Sequence, residues 1–179
     1  MSLPSTHYPA FLGSELSEPA PQDAMFHVLP VPWERTVSYG GGTAGGPGAI
    51  LEASWQLETW DNGDVPGDAG ICTHPPVDVK GPPAMVLQRI ADAVEGILKS
   101  GGMPVVLGGE HTVTYGVIQG YLQAGFAGFG VVQIDAHADL RHDWLGAHHS
   151  HACAMRRCLE VLPSQQLLQI AIRSGTREE

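Results

Sequence analysis

Residues 130–140 read Gly-Val-Val-Gln-Ile-Asp-Ala-His-Ala-Asp-Leu, an apolar run followed at once by Asp135, His137 and Asp139. Such a run is typical of a strand buried on both faces of a parallel sheet, and ligand sites in open α/β sheets collect at the carboxyl ends of these strands. A period of two turns the three polar side chains to one side if the backbone stays extended. The stretch therefore predicts a strand that ends in a ligand cluster. A plain polar turn is the alternative interpretation of these residues alone.

A second apolar run, residues 103–107, ends in the same way, because Gly-Gly-Glu-His-Thr follows it at 108–112. The glycine pair allows a sharp backbone turn, which brings His111 within reach of the first cluster, and Glu110 is placed to steady a ligand from behind. Two carboxylates and two imidazoles make a mixed donor set that suits Mn, Fe or Zn better than Mg or Ca. An ordinary loop histidine is the alternative interpretation of His111 taken without its partners.

Short apolar runs alternate with helical patterns along the rest of the chain. The runs cover residues 26–31, 71–79, 103–107, 128–134 and 167–172. The clearest helix is predicted at 83–99, where an apolar stripe begins at Pro83 and a glycine pair follows Lys99. Further helices are predicted at 47–58, 113–123 and 151–161. The alternation predicts an α/β domain with a mostly parallel sheet over residues 25–179, and residues 1–24 predict an irregular N-terminal leader.

Composition excludes several classes of protein. A chain of 179 residues with 43% hydrophobic and 16% charged residues is expected to pack as one domain. Nine Lys and Arg against 19 Asp and Glu give a net charge of −10 without a basic stripe, which argues against nucleic-acid binding. No run approaches the roughly 18 apolar residues of a membrane span. Three cysteines without Cys-x-x-Cys spacing, and no signal peptide, predict reduced thiols in a cytoplasmic protein.

Histidine is concentrated in one part of the sequence. Six of the nine histidines lie between positions 111 and 151: His111, His137, His142, His148, His149 and His151. The run His-His-Ser-His-Ala at 148–152 can hold a proton shuttle, because imidazole titrates near neutral pH. An exposed polar loop explains the same run.

Three motifs in this order resemble the successive signatures of the ureohydrolase family, which includes arginases and agmatinases. They are Gly-Gly-Glu-His-Thr at 108–112, Asp-Ala-His-Ala-Asp-Leu at 135–140 and Ser-His-Ala-Cys at 150–153. The glycine-rich stretch 38–54 is similar to the family's loop and first helix, and residues 169–175 are similar to a following strand. The resemblance covers about residues 25–179, concerns the N-terminal part of the longer family chain, and is most like the agmatinase branch.

The resemblance implies an arginase-like three-layer α/β/α fold, incomplete at the C-terminus, with a binuclear Mn²⁺ centre. By motif, His111 and Asp139 would bind one metal, His137 the other, Asp135 would bridge both, and His151 matches the family's proton-shuttle histidine. The implied reaction converts a small cationic guanidino compound, agmatine, to urea and putrescine, a step of polyamine biosynthesis. A homo-oligomer is implied for the complete protein, and no substrate-binding residue is assigned.

The sequence departs from the family in one respect, because a later motif of closely spaced aspartates is absent and no Asp follows Asp143. The second metal is therefore expected to bind weakly, and two sheet edges are expected to lack partners. Three alternatives stay open: a non-catalytic chain with a partial metal site, a related arginase or guanidinobutyrase, and a zinc deacetylase on a related fold.

Overall fold

The computed structural model describes residues 8–179 and confirms the predicted α/β class. The elements are β1 (Phe26–Val31), α1 (Gly46–Ser54), β2 (Ile71–Thr73), α2 (Pro83–Lys99), β3 (Met103–Gly108), α3 (Val113–Gln123), β4 (Val131–Ile134), α4 (Ala154–Cys158) and β5 (Leu167–Ile170). Strands β2, β1 and β3 form one parallel sheet in that order, and β4 and β5 form a second parallel pair. The two sheets are not joined by strand pairing within the described residues, so one edge of β3 and one edge of β4 have no partner strand there.

Three predicted strands are shorter in the structure. The run 71–79 is a strand only over Ile71–Thr73, because Pro75 and Pro76 have no N–H to donate to a ladder. The run 167–172 stops at Ile170, where Ala171 takes a left-handed φ of +68° that a strand cannot continue. The run 128–134 begins its strand only at Val131, after two glycines.

Two predicted helices are also shorter, because their ends tighten into turns. The helix predicted at 47–58 is α-helical over Gly46–Ser54, and residues 55–57 continue it only through i to i+3 hydrogen bonds. The helix predicted at 151–161 divides into a 3₁₀ turn, His151–Cys153, and the short helix α4. The Ser150 hydroxyl caps this turn by accepting the N–H of Ala152. Helices α2 and α3 have the predicted bounds.

Helix α2 forms the first hydrophobic core with the central strand β1. Its apolar stripe meets the side chains of β1 that point to the same face of the sheet. The buried members of this core are Leu29, Val31, Trp33, Val86, Leu87, Ile90, Val94, Ile97 and Val113. Each fully buried aliphatic side chain stabilises the fold by about 1.5–3 kcal/mol.

Helix α3 connects this core to a second one. Gly116 and Gly120 let α3 lie against α2, because a Cβ at either position would press on Ile90 or Val94. On its other side, Ile118 packs with Met155 and neighbouring residues of the second core, which supports β4 and β5. The carboxyl ends of β3 and β4 are thereby held beside one another although the strands do not pair.

Residues 8–24 form turns and a short 3₁₀ helix, Pro21–Asp23, while residues 1–7 of the predicted leader lie outside the described residues, so the domain boundaries stay a prediction. Residues 8–179 contain no helix that is both long and apolar enough to cross a membrane. One side of the β4–β5 pair is apolar and open to solvent.

Candidate metal centre

The loops after β3 and β4 bring three metal-ligating side chains together. One ligand atom each from His111, Asp135 and Asp139 lies within 4.8 Å of the other two. The Nδ1 atom of His111 is 2.5 Å from Oδ2 of Asp139 and 3.6 Å from Oδ2 of Asp135. These three residues were predicted to converge from two strand ends, and the structure brings them to one point.

Gly109, the second glycine of the pair before His111, is required by a close backbone approach. A Cβ at Gly109 would collide with the backbone of Trp33, the segment that follows β1. In return, the N–H groups of Gly109 and Glu110 donate to the carbonyls of Val31 and Trp33. The turn that carries His111 is therefore fixed to the end of the central strand.

Asp139 reaches the cluster by a backbone turn, which differs from the extended geometry predicted for 135–139. Its φ is +52°, a left-handed conformation that Asp tolerates better than most residues. The N–H groups of Met155 and Arg156 in α4 both donate to its carbonyl at 3.1 Å, which holds the turn in place. The turn directs the buried Asp139 carboxylate toward His111.

Asp135 lies between two imidazoles. Its Oδ2 faces His111, and its Oδ1 is 3.6 Å from Nδ1 of His137. His137 is 63% exposed and is not part of the three-residue group, so of the predicted ligands it is the one that stays apart. Partial burial by itself raises the pKa of Asp135, but hydrogen bonds from the His137 N–H and the Gln133 amide, with His111 nearby, outweigh it and lower that pKa. The carboxylate is thus held in its ionised form.

The donor set fits a divalent cation of the Mn, Fe or Zn type. Two carboxylates and an imidazole converge, and no Lys or Arg side chain within the described part of the chain forms an ion pair with either carboxylate. In the structure, Nδ1 of His111 hydrogen-bonds Asp139, whereas Asp135 accepts from the His137 N–H and the Gln133 amide. A cation among these three groups would neutralise the negative charges of the two carboxylates, and mixed nitrogen and oxygen ligands suit those metals.

His151 is held next to this cluster by Thr36 and Ser38. The Thr36 hydroxyl lies 2.8 Å from Oε1 of Glu110, 3.1 Å from Nδ1 of His151 and 3.0 Å from its backbone N. The Glu110 carboxylate can only accept hydrogen bonds, so the Thr36 hydroxyl donates its single proton to Glu110. The hydroxyl oxygen must therefore accept the hydrogen bond from Nδ1–H of His151. The other ring nitrogen, Nε2, lies 2.9 Å from the Ser38 hydroxyl.

Glu110 has a role that differs from the prediction. Its buried carboxylate does not contact His111 but accepts four hydrogen bonds from the Arg35 N–H, the Thr36 N–H and hydroxyl, and the Thr112 hydroxyl. The carboxylate therefore fixes the segment 35–36 and, through Thr36, the ring of His151. The position of Glu110 next to His111 in the sequence does not indicate its link to His151.

A cavity of about 300 Å³ lies between Asp139 of the metal cluster and His151. His137, Asp139 and His151 all line it, together with Ser38. At its edge the Arg141 guanidinium lies 4.6 Å from the centre of the Trp144 ring, whose edge meets the His151 ring. Ser38 and Trp144 were not predicted as site residues; only the glycine-rich stretch that begins at Ser38 pointed to this region.

The other histidines of the run lie outside this cavity. His148 contacts the carbonyl and ring of His142, and the ring of His149 stacks on Tyr115. Burial, followed by the charges of Arg157 and His148, lowers the pKa of His149. Of the three histidines at 148–151, His151 is the one that the structure brings to the cluster.

Comparison with known proteins identifies relatives that match most of the chain. The arginase family model matches residues 24–179. The chain is 42% identical over 166 residues to N(1)-aminopropylagmatine ureohydrolase of Synechocystis sp., covering 88% of this chain and 53% of that protein. It is 34% identical over 171 residues to the agmatinase of Bacillus subtilis, covering 88% and 54%. The crystal structure of the agmatine ureohydrolase of Thermoplasma volcanium superposes with a TM-score of 0.85 at 26% identity, covering 96% of this chain and 57% of that chain. The chain thus spans about half the length of the curated relatives it matches.

Proposed function

Because the chain belongs to the arginase family, we propose that the protein hydrolyses a guanidino compound to urea and an amine at the cluster described above. One observation carries the proposal: the ligand atoms of His111, Asp135 and Asp139 converge within 4.8 Å, and Asp139 of this group lines the same cavity as His151. The relatives named for ureohydrolase and agmatinase activity support the same reaction.

The proposed metal is Mn²⁺, held at one position by His111, Asp139 and Asp135 and at a second by His137 and Asp135. The mixed donor set supports this choice, and the position of Asp135 between the two imidazoles supports a bridging role. Such an ion would supply a nucleophile at neutral pH by lowering the pKa of water from about 15.7 toward 7. His137 is expected to hold its metal more weakly, since it is largely exposed and only Asp135 accompanies it among the described residues.

The chain's own residues supply the proton transfer. Hydrolysis adds water across the guanidinium carbon, breaks its bond to the alkyl-bearing nitrogen, and yields urea and an alkylammonium ion. The attacking water loses a proton and the departing nitrogen needs one. Because Thr36 keeps Nδ1 of His151 as a hydrogen-bond donor, Nε2 is the nitrogen that can take up the proton from the water and pass it to the departing nitrogen. Ser38, 2.9 Å from Nε2, keeps that nitrogen directed at the cavity.

Agmatine is the proposed substrate, and N(1)-aminopropylagmatine is the second candidate. The first follows from the agmatinase-like motif at 150–153, and the second from the name of the Synechocystis relative, which is 42% identical over the matched residues. The two differ by an aminopropyl extension with one more positive charge. The net charge of −10 favours the approach of either cation.

The cysteines support a proposal for the cellular compartment. The three cysteines are free in the described chain, as expected of a reducing compartment, and we place the protein in the cytoplasm, where polyamine biosynthesis would use its product. We also propose a homo-oligomer, in line with the family resemblance.

The experiment measures urea released by the Mn²⁺-loaded protein from agmatine, N(1)-aminopropylagmatine, arginine and guanidinobutyrate. Urea should appear with one of the first two, and His151→Asn should lower the rate by about 10²-fold or more while Mn²⁺ binding persists. The matched control His148→Asn, outside the cavity, should keep the rate. Bound Mn²⁺ without urea from any of the four compounds would instead support the non-catalytic alternative.

A further inference from the structure

A second group of metal-ligating side chains lies toward the amino-terminal end of β1, away from the end that meets the glycine turn before His111. His27, Cys72 and His74 each place a ligand atom within 4.8 Å of the other two. His27 is the second residue of β1 and Gly108 pairs with Val31 at its other end, so about 13 Å of strand separates the group from the glycine turn before His111. The group contains no carboxylate and takes no part in the chemistry proposed above.

The parallel register explains why the three side chains meet. His27 of β1 and Cys72 of β2 are direct partners in the ladder, so their side chains leave the same face of the sheet. His74 follows Cys72 by two residues and projects to that face as well. The position of all three is therefore set by backbone pairing and not by a mobile loop.

The hydrogen bonds leave the correct nitrogens directed at the shared centre. His27 Nε2 lies 3.2 Å from the Ala24 carbonyl, which can only accept, so Nε2 carries the proton and Nδ1 presents a lone pair. Nδ1 is 2.8 Å from Nε2 of His74, which donates to it in the absence of a metal. A ligating histidine whose other N–H is tied to a backbone carbonyl is the arrangement found at established metal sites.

The group is rigid and needs only a small change to hold an ion. His27 and Cys72 are buried, and a Cβ at Gly102 would collide with the His27 ring, so the backbone there clamps the imidazole. In tetrahedral coordination with metal–nitrogen distances of about 2.0–2.1 Å, the two nitrogens would stand roughly 3.3 Å apart. This separation is about 0.5 Å longer than the distance between the two nitrogens in the structure. A small movement of His74, which is only partly buried, provides the difference.

Entry and charge also favour a cation. A cavity of about 250 Å³ opens beside the two imidazoles, which leaves room for water as a fourth ligand. The Glu18 carboxylate, bound to the N–H of Thr73, places a negative charge next to the group. Among residues 8–179, no lysine or arginine lines this cavity.

We propose that His27, Cys72 and His74 form a second metal site, selective for a borderline-soft divalent cation such as Zn²⁺ and distinct from the candidate centre at His111. Two imidazoles and a thiolate suit Zn²⁺ and Co²⁺ better than Mn²⁺. On binding, the Cys72 thiol loses its proton to solvent, and the proton on His74 Nε2 moves to Nδ1. One proton is released per ion, and β1 becomes linked through the metal to β2.

The test uses Co²⁺ as the probe, because a cobalt–thiolate bond gives a charge-transfer absorption that carboxylate and imidazole ligands do not. The 179-residue chain, stripped of metal and reduced, is titrated with Co²⁺ and its absorption is followed. We expect the band to saturate at one equivalent in His111→Ala/Asp135→Asn, which lacks the first centre, and to disappear in Cys72→Ser. Cys158→Ala, which changes a buried cysteine of the second core, should keep it.

Two further measurements keep the outcome decisive. The double variant His111→Ala/Asp135→Asn lacks the first centre. It should still bind one equivalent of Zn²⁺, measured by mass spectrometry of metals. If Cys72→Ser does not fold, His74→Gln is the second variant, and its Co²⁺ affinity should fall at least tenfold. A folded wild-type chain without the band, or a band that survives Cys72→Ser, would overturn the proposal.

Discussion

Glu110 and His151 share the hydroxyl of Thr36, which donates to the carboxylate of the first and accepts from the imidazole of the second. The carboxylate is buried and accepts three further hydrogen bonds, so the hydroxyl cannot turn round without leaving an unmatched acceptor. This arrangement selects one tautomer of His151 and directs its Nε2 toward the cavity. A residue of the glycine turn thereby controls the proposed proton donor without touching it.

Thr36→Val is expected to lower the rate of urea release by about 10–100-fold, the usual effect of losing such an outer contact. Valine keeps the shape of threonine but removes the hydroxyl between Glu110 and His151. Thr36→Ser keeps the hydroxyl and should retain most of the rate. A shift in the pH profile of kcat for Thr36→Val, absent from Thr36→Ser, would identify a positioning role; equal losses in both variants would contradict it.

Asp139→Asn should weaken Mn²⁺ binding at least tenfold while leaving the fold intact. Asparagine has the same shape and also tolerates the left-handed backbone at this position, where φ is +52°. Only the negative charge of one proposed ligand is lost. Electron paramagnetic resonance of free Mn²⁺ during a titration measures the affinity. Asp143→Asn, which lies outside the three-residue group, is the control and should bind as wild type.

Much of the architecture could be predicted from local patterns. The apolar stripe of 83–99, with Pro83 at its start and a glycine pair after Lys99, predicts both ends of helix α2 correctly. The polar residues that follow two apolar runs indicate the meeting point of His111, Asp135 and Asp139. These predictions succeed because periodicity and strand-end position are properties of short segments.

Features that depend on contacts between distant segments could not be predicted. The left-handed turn at Asp139 is held by N–H groups of α4, and the tautomer of His151 by a loop more than a hundred residues earlier. The group His27, Cys72 and His74 exists only through the register of β1 against β2. The ends of the helices predicted at 47–58 and 151–161 were wrong, because 3₁₀ and α-helical turns show the same apolar pattern in a sequence.

Gly120→Ala is expected to destabilise the protein by about 1–3 kcal/mol. The new Cβ would lie 2.6 Å from the Cβ of Val94 and 2.8 Å from the Ala91 carbonyl, so α2 and α3 would have to separate. The gain in helix propensity, about 1 kcal/mol, does not offset this. Gly96→Ala in α2 is the matched control, since nothing lies within 4 Å of its new Cβ, and it should be neutral or stabilising. Urea unfolding monitored by circular dichroism compares the two.

Glu34→Gln should lower thermal stability at neutral pH and have little effect in acid. Hydrogen bonds from the N–H groups of Ala44 and Gly42 and from the Thr43 hydroxyl lower the pKa of Glu34 below 4.5 in the folded protein. A carboxyl with a depressed folded pKa stabilises the fold above its unfolded pKa, and this contribution is lost as the pH falls through the folded value. The difference in melting temperature between wild type and Glu34→Gln should therefore shrink below about pH 4.5. Glu58→Gln, at another exposed position, is the control; a difference that does not vary with pH would contradict the prediction.

Val132→Thr/Leu168→Thr should reduce self-association without loss of stability. The two residues are direct partners in the β4–β5 ladder and are 60% and 57% exposed, next to the equally apolar pair Ile134 and Ile170. An exposed apolar patch on a two-stranded sheet promotes association, whereas threonine keeps the strand propensity of a β-branched residue. Sedimentation velocity over a range of concentrations should show a smaller associated fraction for the double variant. Val131→Thr is the control, because Val131 packs against the second core: it should lower the melting temperature and leave association as in wild type. If the double variant associates as the wild type does, the surface responsible for self-association lies elsewhere on the protein.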